Sequence, residues 1–444
     1  MPRPLLIALL AFAAWPAFAQ QPGDILWSTP LEEDPTELMS RPEIGPEGAI
    51  HMFVNDIFVI EPDGSVRLRI DANTLYTSDI AVAPDGRIFV AESIFNPGVG
   101  VDYYVVGYSP TGEELWRTPF EATEAVSYGP SLGPDGNLYG VVGFGYTTAG
   151  AFSVSTDGTF RWSVPGFERE STSWPKEIPF ASDRFYAVDE SVPCQLFSNG
   201  IAAFSFSGEM LWCLPWNVEH PPVVGPDDSV YGLGYNSLTK FSPDGDLLWR
   251  YNFPSPVGLL RDPAIGPDGT VYVQESRSLW AFHPDGSVRY EVQIVDSGFP
   301  VQPTVSPDGS LLLTQASVEG TQYLIALNAA DGSERWRVAI PYITDPPYTF
   351  TSDGDVVYVP LRAGGLAPVE LMAVYVGDGS APVTVSAEPV GGPITIPPSG
   401  GAFAFAVTLT NTTDQPQGVE AWSAVSGPAG REPVLGPRAV ALAP

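Results

Sequence analysis

The chain has 444 residues, 44% hydrophobic and 16% charged, with 47 prolines, 45 glycines and 12% aromatic side chains, a composition that suits a turn-rich globular protein. Collagen, coiled coil and ordinary disorder are excluded. The 52 acidic residues against 20 basic ones give a formal charge of −32, which leaves no basic stripe for nucleic acid. Lysine occurs only at Lys176 and Lys240; acid excess with scarce lysine keeps a surface hydrated at high salt and reads as halophilic adaptation rather than a dedicated cation-binding surface.

Residues 1–19 read as a secretory signal peptide: a basic start at Arg3, an apolar run from Leu5 to Ala14, and the small-residue pattern Ala17-Phe18-Ala19. The run is short of the roughly 20 residues of a membrane span, and no later stretch reaches that length free of charges and prolines. The expectation is export to the periplasm, cell surface or medium, with no transmembrane span. Gln20, rather than a lipidated Cys, follows the cleavage pattern.

Internal repetition then dominates, from residue 20 to residue 380. A first turn recurs as Gly45-Pro46-Glu47-Gly48, Ala83-Pro84-Asp85-Gly86, Gly133-Pro134-Asp135-Gly136, Gly225-Pro226-Asp227-Asp228, Gly266-Pro267-Asp268-Gly269 and Ser306-Pro307-Asp308-Gly309, with weaker copies at Ala181-Ser182-Asp183 and Thr351-Ser352-Asp353-Gly354. Proline presets the second turn position, Asp suits the third, and a short β-rich run follows each copy, so these are hairpins between the first and second strands of a unit. A second turn, such as Pro62-Asp63-Gly64 or Pro284-Asp285-Gly286, precedes a bulky anchor by a fixed offset: Leu68, Trp116, Trp162, Trp212, Trp249, Tyr290 and Trp336.

The unit is therefore four strands with an anchor on the last, repeating about every 38 to 50 residues, the period of a propeller blade. The eighth anchor lies at the other end of the chain, where Gly23 precedes Trp27 by the same offset. This predicts an all-β, eight-bladed propeller closed by an N-terminal strand, with Ile25 to Leu31 pairing against the segment near Leu371 to Val376 so that no open edge remains. Residues 381–444 change pattern to alternating runs such as Val383-Thr384-Val385-Ser386, and predict a small β-sandwich, either minimal or cut short, similar to immunoglobulin-like modules. Cys194 and Cys213 are the only cysteines, and export permits a disulfide between them. With three histidines at no useful spacing, a zinc site is not expected.

These residues resemble the pyrroloquinoline-quinone-like (PQQ-like) β-propeller repeat family. The best copy of its tryptophan-docking motif runs from Ala326 through Asn328, Asp331 and Gly332 to Trp336; it departs from the family at Asn328, where Asp is usual, and at Asp331, where Thr is usual. The Pro-Asp-Gly turns are also similar to gluconolactonase-type and NHL-repeat propellers, but the last-strand tryptophans favour the PQQ-like family. The resemblance implies a quinone dehydrogenase or a non-enzymatic scaffold such as the propeller subunit of the outer-membrane barrel-assembly machinery. The dehydrogenases carry adjacent cysteines, a Ca²⁺ set and an Asp base, and this chain has no adjacent cysteines.

No catalytic residue is therefore assigned and no cofactor expected, with PQQ and Ca²⁺ as the alternative. Candidate binding residues follow from the fold: first strands line a propeller's channel, and the positions ahead of the turn proline surround its mouth. They are Arg41, Asp79, Asp262 and Gln302, with His220 and Arg261 one position earlier. Two longer insertions, Phe95 to Asp102 and Glu190 to Asn199, add contact surface. The expected function is an exported, monomeric, non-enzymatic propeller that binds a protein partner or an envelope or matrix glycan through one face. The alternatives are a quinone-dependent oxidoreductase and a lactonase or glycan-cleaving enzyme using carboxylates at the channel mouth.

Overall fold

The computed structural model describes residues 20–32, 39–72, 79–96, 100–120, 126–143, 149–167, 178–189, 200–215, 222–234, 236–254, 262–275, 277–294, 301–341, 348–362, 369–377, 383–389, 405–411, 417–427 and 430–442. The proposed leader, Cys194, His220, Arg261 and the Glu190 to Asn199 insertion lie outside these residues. One compact unit, residues 23–376, holds eight antiparallel sheets, the blades of a β-propeller. The other unit is described over residues 383–389, 405–411, 417–427 and 430–442.

Blade 1 runs Glu43–Ile44, Ile50–Val54, Asp56–Ile60 and Val66–Ile70 from its first strand to its fourth. Blade 2 (Ile80–Val82, Ile88–Asn96, Gly100–Tyr108, Glu114–Phe120) and blade 3 (Val126–Leu132, Asn137–Gly143, Ala149–Ser155, Phe160–Phe167) repeat it. Blade 4 has three full strands, Arg184–Asp189, Gly200–Ser205 and Met210–Pro215, and a single bridge from Phe180 to Phe185 in place of its first strand. Blades 5, 6 and 7 end in Leu247–Asn252, Val288–Gln293 and Glu334–Ile340. Blade 8 takes Thr349–Phe350, Val356–Arg362 and Val369–Tyr375 from the end of the ring and Ile25–Glu32 from its beginning. Ile25 pairs with Val374 and Thr29 with Leu371, so the expected closure is present.

The anchors explain how blades are joined. Each fourth-strand side chain lies on the second turn of the next blade, and the indole N–H donates to a carbonyl there: Trp27 to Pro62 (2.9 Å), Trp162 to Phe206 (3.1 Å), Trp212 to Pro243 (2.7 Å) and Trp249 to Pro284 (2.9 Å). Trp116 does the same to Thr156 at 3.3 Å, and the Tyr290 hydroxyl donates to Ala329 at 3.1 Å. Leu68, which has no donor, packs on Gly112, and Trp336 packs on Gly23 and so ties blade 7 to the N-terminal strand of blade 8. A half-polar aromatic both fills the cleft between blades and satisfies a turn carbonyl. Within a blade the anchor meets a second aromatic from the second strand, as in Phe89–Trp116 (5.8 Å), Tyr186–Trp212 (5.7 Å) and Tyr231–Trp249 (5.9 Å).

Two departures from the repeat have local compensations. At Asn328 in the docking motif, the side chain donates to Ser333 Oγ (2.6 Å) and accepts from the Arg335 guanidinium. The weak first turn of blade 4 is held from blade 5: Ser182 donates its backbone N–H (3.1 Å) and its hydroxyl (2.6 Å) to the Asp228 carboxylate. Asp228 stands where most turns have glycine, at φ 59°, a conformation that Asp tolerates better than most residues.

In the other unit, Val383–Pro389 pairs with Phe405–Asn411, and Gln417–Gly427 with Gly430–Leu442, both antiparallel. Among the described residues no helix is long and apolar enough to cross a membrane. Cys213 is disulfide-bonded, and among the described residues no cysteine is free.

Candidate functional site

The alternation of strands gives the propeller two unlike faces. First and second turns all lie on one; they are short and internally stapled. Gly86 N donates to Ala83 O (2.8 Å) and Gly269 N to Gly266 O (2.9 Å), while the Asp carboxylate accepts from the backbone two residues on, as in Asp135 with Asn137 (3.1 Å) and Asp268 with Thr270 (2.9 Å). A cation meets this first-turn carboxylate in five blades: Arg87–Asp85 (2.8 Å), Arg161–Asp135 (3.6 Å), Arg184–Asp183 (2.6 Å), Lys240–Asp227 (2.8 Å) and Arg289–Asp268 (3.5 Å). The second-turn carboxylates Asp63, Asp285 and Asp331 are engaged in the same way, and hydrogen bonds from Ser65, Ser287 and Ser333 hold them below the usual carboxylate range. These acids are consumed by their own turns, and among the described residues no group of three or more His, Cys, Asp or Glu could hold a metal ion.

The opposite face carries the connections between second and third strands and those between blades. Arg41, Asp79, Asp262 and Gln302 lie there, each just before the first strand of blade 1, 2, 6 or 7. Arg41 is half-buried and its guanidinium pairs with Glu43 at 2.6 Å; Gln302 is half-buried. Asp79 and Asp262 are only 5% and 6% exposed, and Asp79 accepts the Ile80 N–H at 3.0 Å. Asp79 is tied to its strand start and both carboxylates are nearly covered, so the surface offered to a ligand by this set is carried by Arg41 and Gln302. The insertion at Phe95 to Asp102 is a paired extension of blade 2, Asn96 opposite Gly100.

Nothing in the turn-and-anchor pattern singled out Glu92, a buried carboxylate of blade 2. It is buried on the second strand, accepts from Tyr108 Oη (2.5 Å) and Arg117 Nη1 (2.8 Å), and burial pushes its carboxyl above the usual range. Such a shift in a cleft would be a functional signal. Here both oxygens are occupied and Tyr108 belongs to the apolar cluster between blades 1 and 2, so the group is a structural brace. Glu92→Gln is expected to cost roughly 1 to 2 kcal/mol in urea unfolding, because the NH2 that replaces one oxygen leaves Arg117 without its charge-assisted acceptor while the remaining oxygen still serves Tyr108.

The family described as outer membrane protein assembly factor BamB (PQQ_2) matches residues 198–428, just over half of the chain. The chain belongs to this family. The crystal structure of BamB from Moraxella catarrhalis is similar over 79% of this chain and 97% of that one, at 13% identity and a TM-score of 0.50, a likeness of fold. No curated protein matches the chain significantly. The match takes in the last two strands of blade 4, blades 5 to 7 and the three later strands of blade 8, and extends into the C-terminal unit. In this BamB-like propeller the repeat tryptophans Trp27, Trp116, Trp162, Trp212 and Trp249 are engaged at blade junctions by the hydrogen bonds above.

Proposed function

We propose that the chain is an exported, non-enzymatic scaffold that binds a protein partner through the propeller face carrying Arg41, Gln302 and the blade 2 extension. The observation that supports this reading most is the asymmetry of the faces. One is closed by stapled turns whose acids are already paired; the other collects every long connection, the usual place for recognition on a rigid frame. BamB, an outer membrane protein assembly factor by description, favours a protein over an envelope or matrix glycan as the ligand. The acid excess suits a protein working at high salt, and the C-terminal strand pairs suit an immunoglobulin-like spacer or attachment module.

Two measurements test the reading. A photo-crosslinking side chain at Arg41 or Gln302, in the protein expressed in its own cells, is expected to give a discrete protein adduct, and the same group at Asp63 or Asp331 on the turn face none. Adducts of equal yield from both faces, or from neither, overturn the assignment of the face. Titration with pyrroloquinoline quinone, with and without Ca²⁺ and followed by tryptophan fluorescence corrected for quinone absorbance, is expected to show no saturable binding. Saturable binding near one equivalent overturns the non-enzymatic reading.

A further inference from the structure

The fourth strand of every blade carries a β-bulge one residue before its anchor. In blade 4, Phe204 pairs with Met210 and Ala203 with Trp212, leaving Leu211 in the bulge; in blade 5, Phe241 pairs with Leu247 and Lys240 with Trp249, leaving Leu248. The bulged residue is Arg67, Arg161, Arg289 and Arg335 in blades 1, 3, 6 and 7, but Leu115, Leu211, Leu248 and Leu26 in blades 2, 4, 5 and 8. In blades 3 and 6 that arginine is the cation that meets the first-turn carboxylate, Asp135 or Asp268. Blades 4 and 5 meet theirs from other strands, with Arg184 and Lys240. The repeat thus accepts arginine in the bulge, and the fold does not require leucine there.

Those leucines are not buried. Met210, Leu211, Leu247 and Leu248 are each between 42% and 56% exposed, on two adjacent outer strands. The two pairs are linked through the docking contact between them, since Trp212 lies on Gly245 and donates to Pro243 O at 2.7 Å. Scattered exposed apolar residues need no explanation, whereas three leucines and a methionine on two neighbouring strands mark a surface used for contact. The frame of the strip is anionic: Glu209 and Asp246 directly precede the two apolar pairs, and the Asp244 side chain is 85% exposed. Of the nearby cations, Arg184 pairs with Asp183 and lies 3.8 Å from Asp244, the buried Lys240 pairs with Asp227, and Arg250, further along the blade 5 strand, reaches back to Ser237 Oγ at 3.1 Å, so Glu209 and Asp246 carry the charge that a partner would meet. A partner matching both features brings aliphatic side chains flanked by positive charge.

We propose that the fourth strands of blades 4 and 5 form a docking strip for a protein segment with an aliphatic core and flanking lysine or arginine. The strip is separate from the face assigned above, and the two readings stand or fall independently. A second copy of this chain would bring the same carboxylates against one another, and an anionic membrane would do likewise.

The test uses the full chain and a fluorescent peptide with a central Leu-Ile-Leu core and two lysines at each end, followed by anisotropy at low salt. Saturable binding is expected, weakened roughly tenfold or more by the charge-neutral double substitution Leu211→Gln/Leu248→Gln and unchanged by Leu115→Gln on blade 2. Glutamates in place of the peptide's lysines are expected to weaken binding as strongly. Leu211→Arg/Leu248→Arg, which installs the residue that blades 3 and 6 carry, is expected to melt like the parent and also to lose the peptide. Undiminished binding to either double variant overturns the proposal, as does equal binding of the acidic peptide or leucine-dependent self-association in sedimentation.

Discussion

Gly158→Val is expected to lower the unfolding free energy by about 3 kcal/mol, measured by urea denaturation. Gly158 sits in the second turn of blade 3 at φ 89°, where an L-residue costs about 1 to 2 kcal/mol. A Cβ there would lie 2.7 Å from the ring of Trp116, which reaches over from blade 2 and donates to Thr156 O. Displacing a packed ring adds roughly 1 to 3 kcal/mol. Gly136→Val separates the two contributions, because Gly136 has a similar φ of 77° and nothing within 4 Å of its would-be Cβ, so only the backbone cost remains. Trp116→Ala alone is expected to cost about 3 kcal/mol. Combined with Gly158→Val it should cost at least about 1 kcal/mol less than the sum, since the clash disappears with the ring. Full additivity would mean that the indole and the turn are not the joint between these blades.

That joint is also why the fold could be read from residues. The fixed offset from turn glycine to anchor records a contact between one blade and the next, and Gly23 with Trp27 shows the offset on the strand that closes the ring. Burial was harder to read. Asp79 and Asp262 fall where a channel rim should be, yet offset along the chain says nothing about how far a carboxylate sinks, and both are nearly covered. The bulge residues were readable in principle: Arg161, Leu211, Leu248 and Arg289 share one offset, and the alternation of cation with leucine becomes meaningful only when Arg184 and Lys240 are seen to take over the ion pair. Glu92 had no such signal, because its partners Tyr108 and Arg117 come from two other strands.

Acid is expected to destabilise the propeller in two separate windows, and the first belongs to one residue. His51 occupies in blade 1 the second-strand position that Phe89, Tyr139, Tyr231 and Tyr272 fill elsewhere, opposite Glu43 as they are opposite Ala81, Ser131, Val223 and Ala264. It is 2% exposed and its Nδ1 is buried without a hydrogen-bond partner. Burial, helped by the charge of Arg67, lowers its pKa from 6.5 to about 4 against the opposing pull of the Ala49 and Glu43 backbone. The unfolded chain therefore takes up a proton below about pH 6.5 that the folded chain refuses until about pH 4. The contribution is intact above pH 6.5 and is lost as the pH falls to 4, up to about 3 kcal/mol in all. Turn carboxylates such as Asp157, held at about 2 by Ser155 and Thr159, give way only below that window. Falling pH also relieves the repulsion of a strongly negative surface, an effect of opposite sign that the parent and a His51→Phe variant share. The difference between their unfolding free energies isolates His51: it should be constant above pH 6.5 and move steadily in favour of the variant between 6.5 and 4. A difference that stays flat across that window would mean that the imidazole is not held neutral inside blade 1.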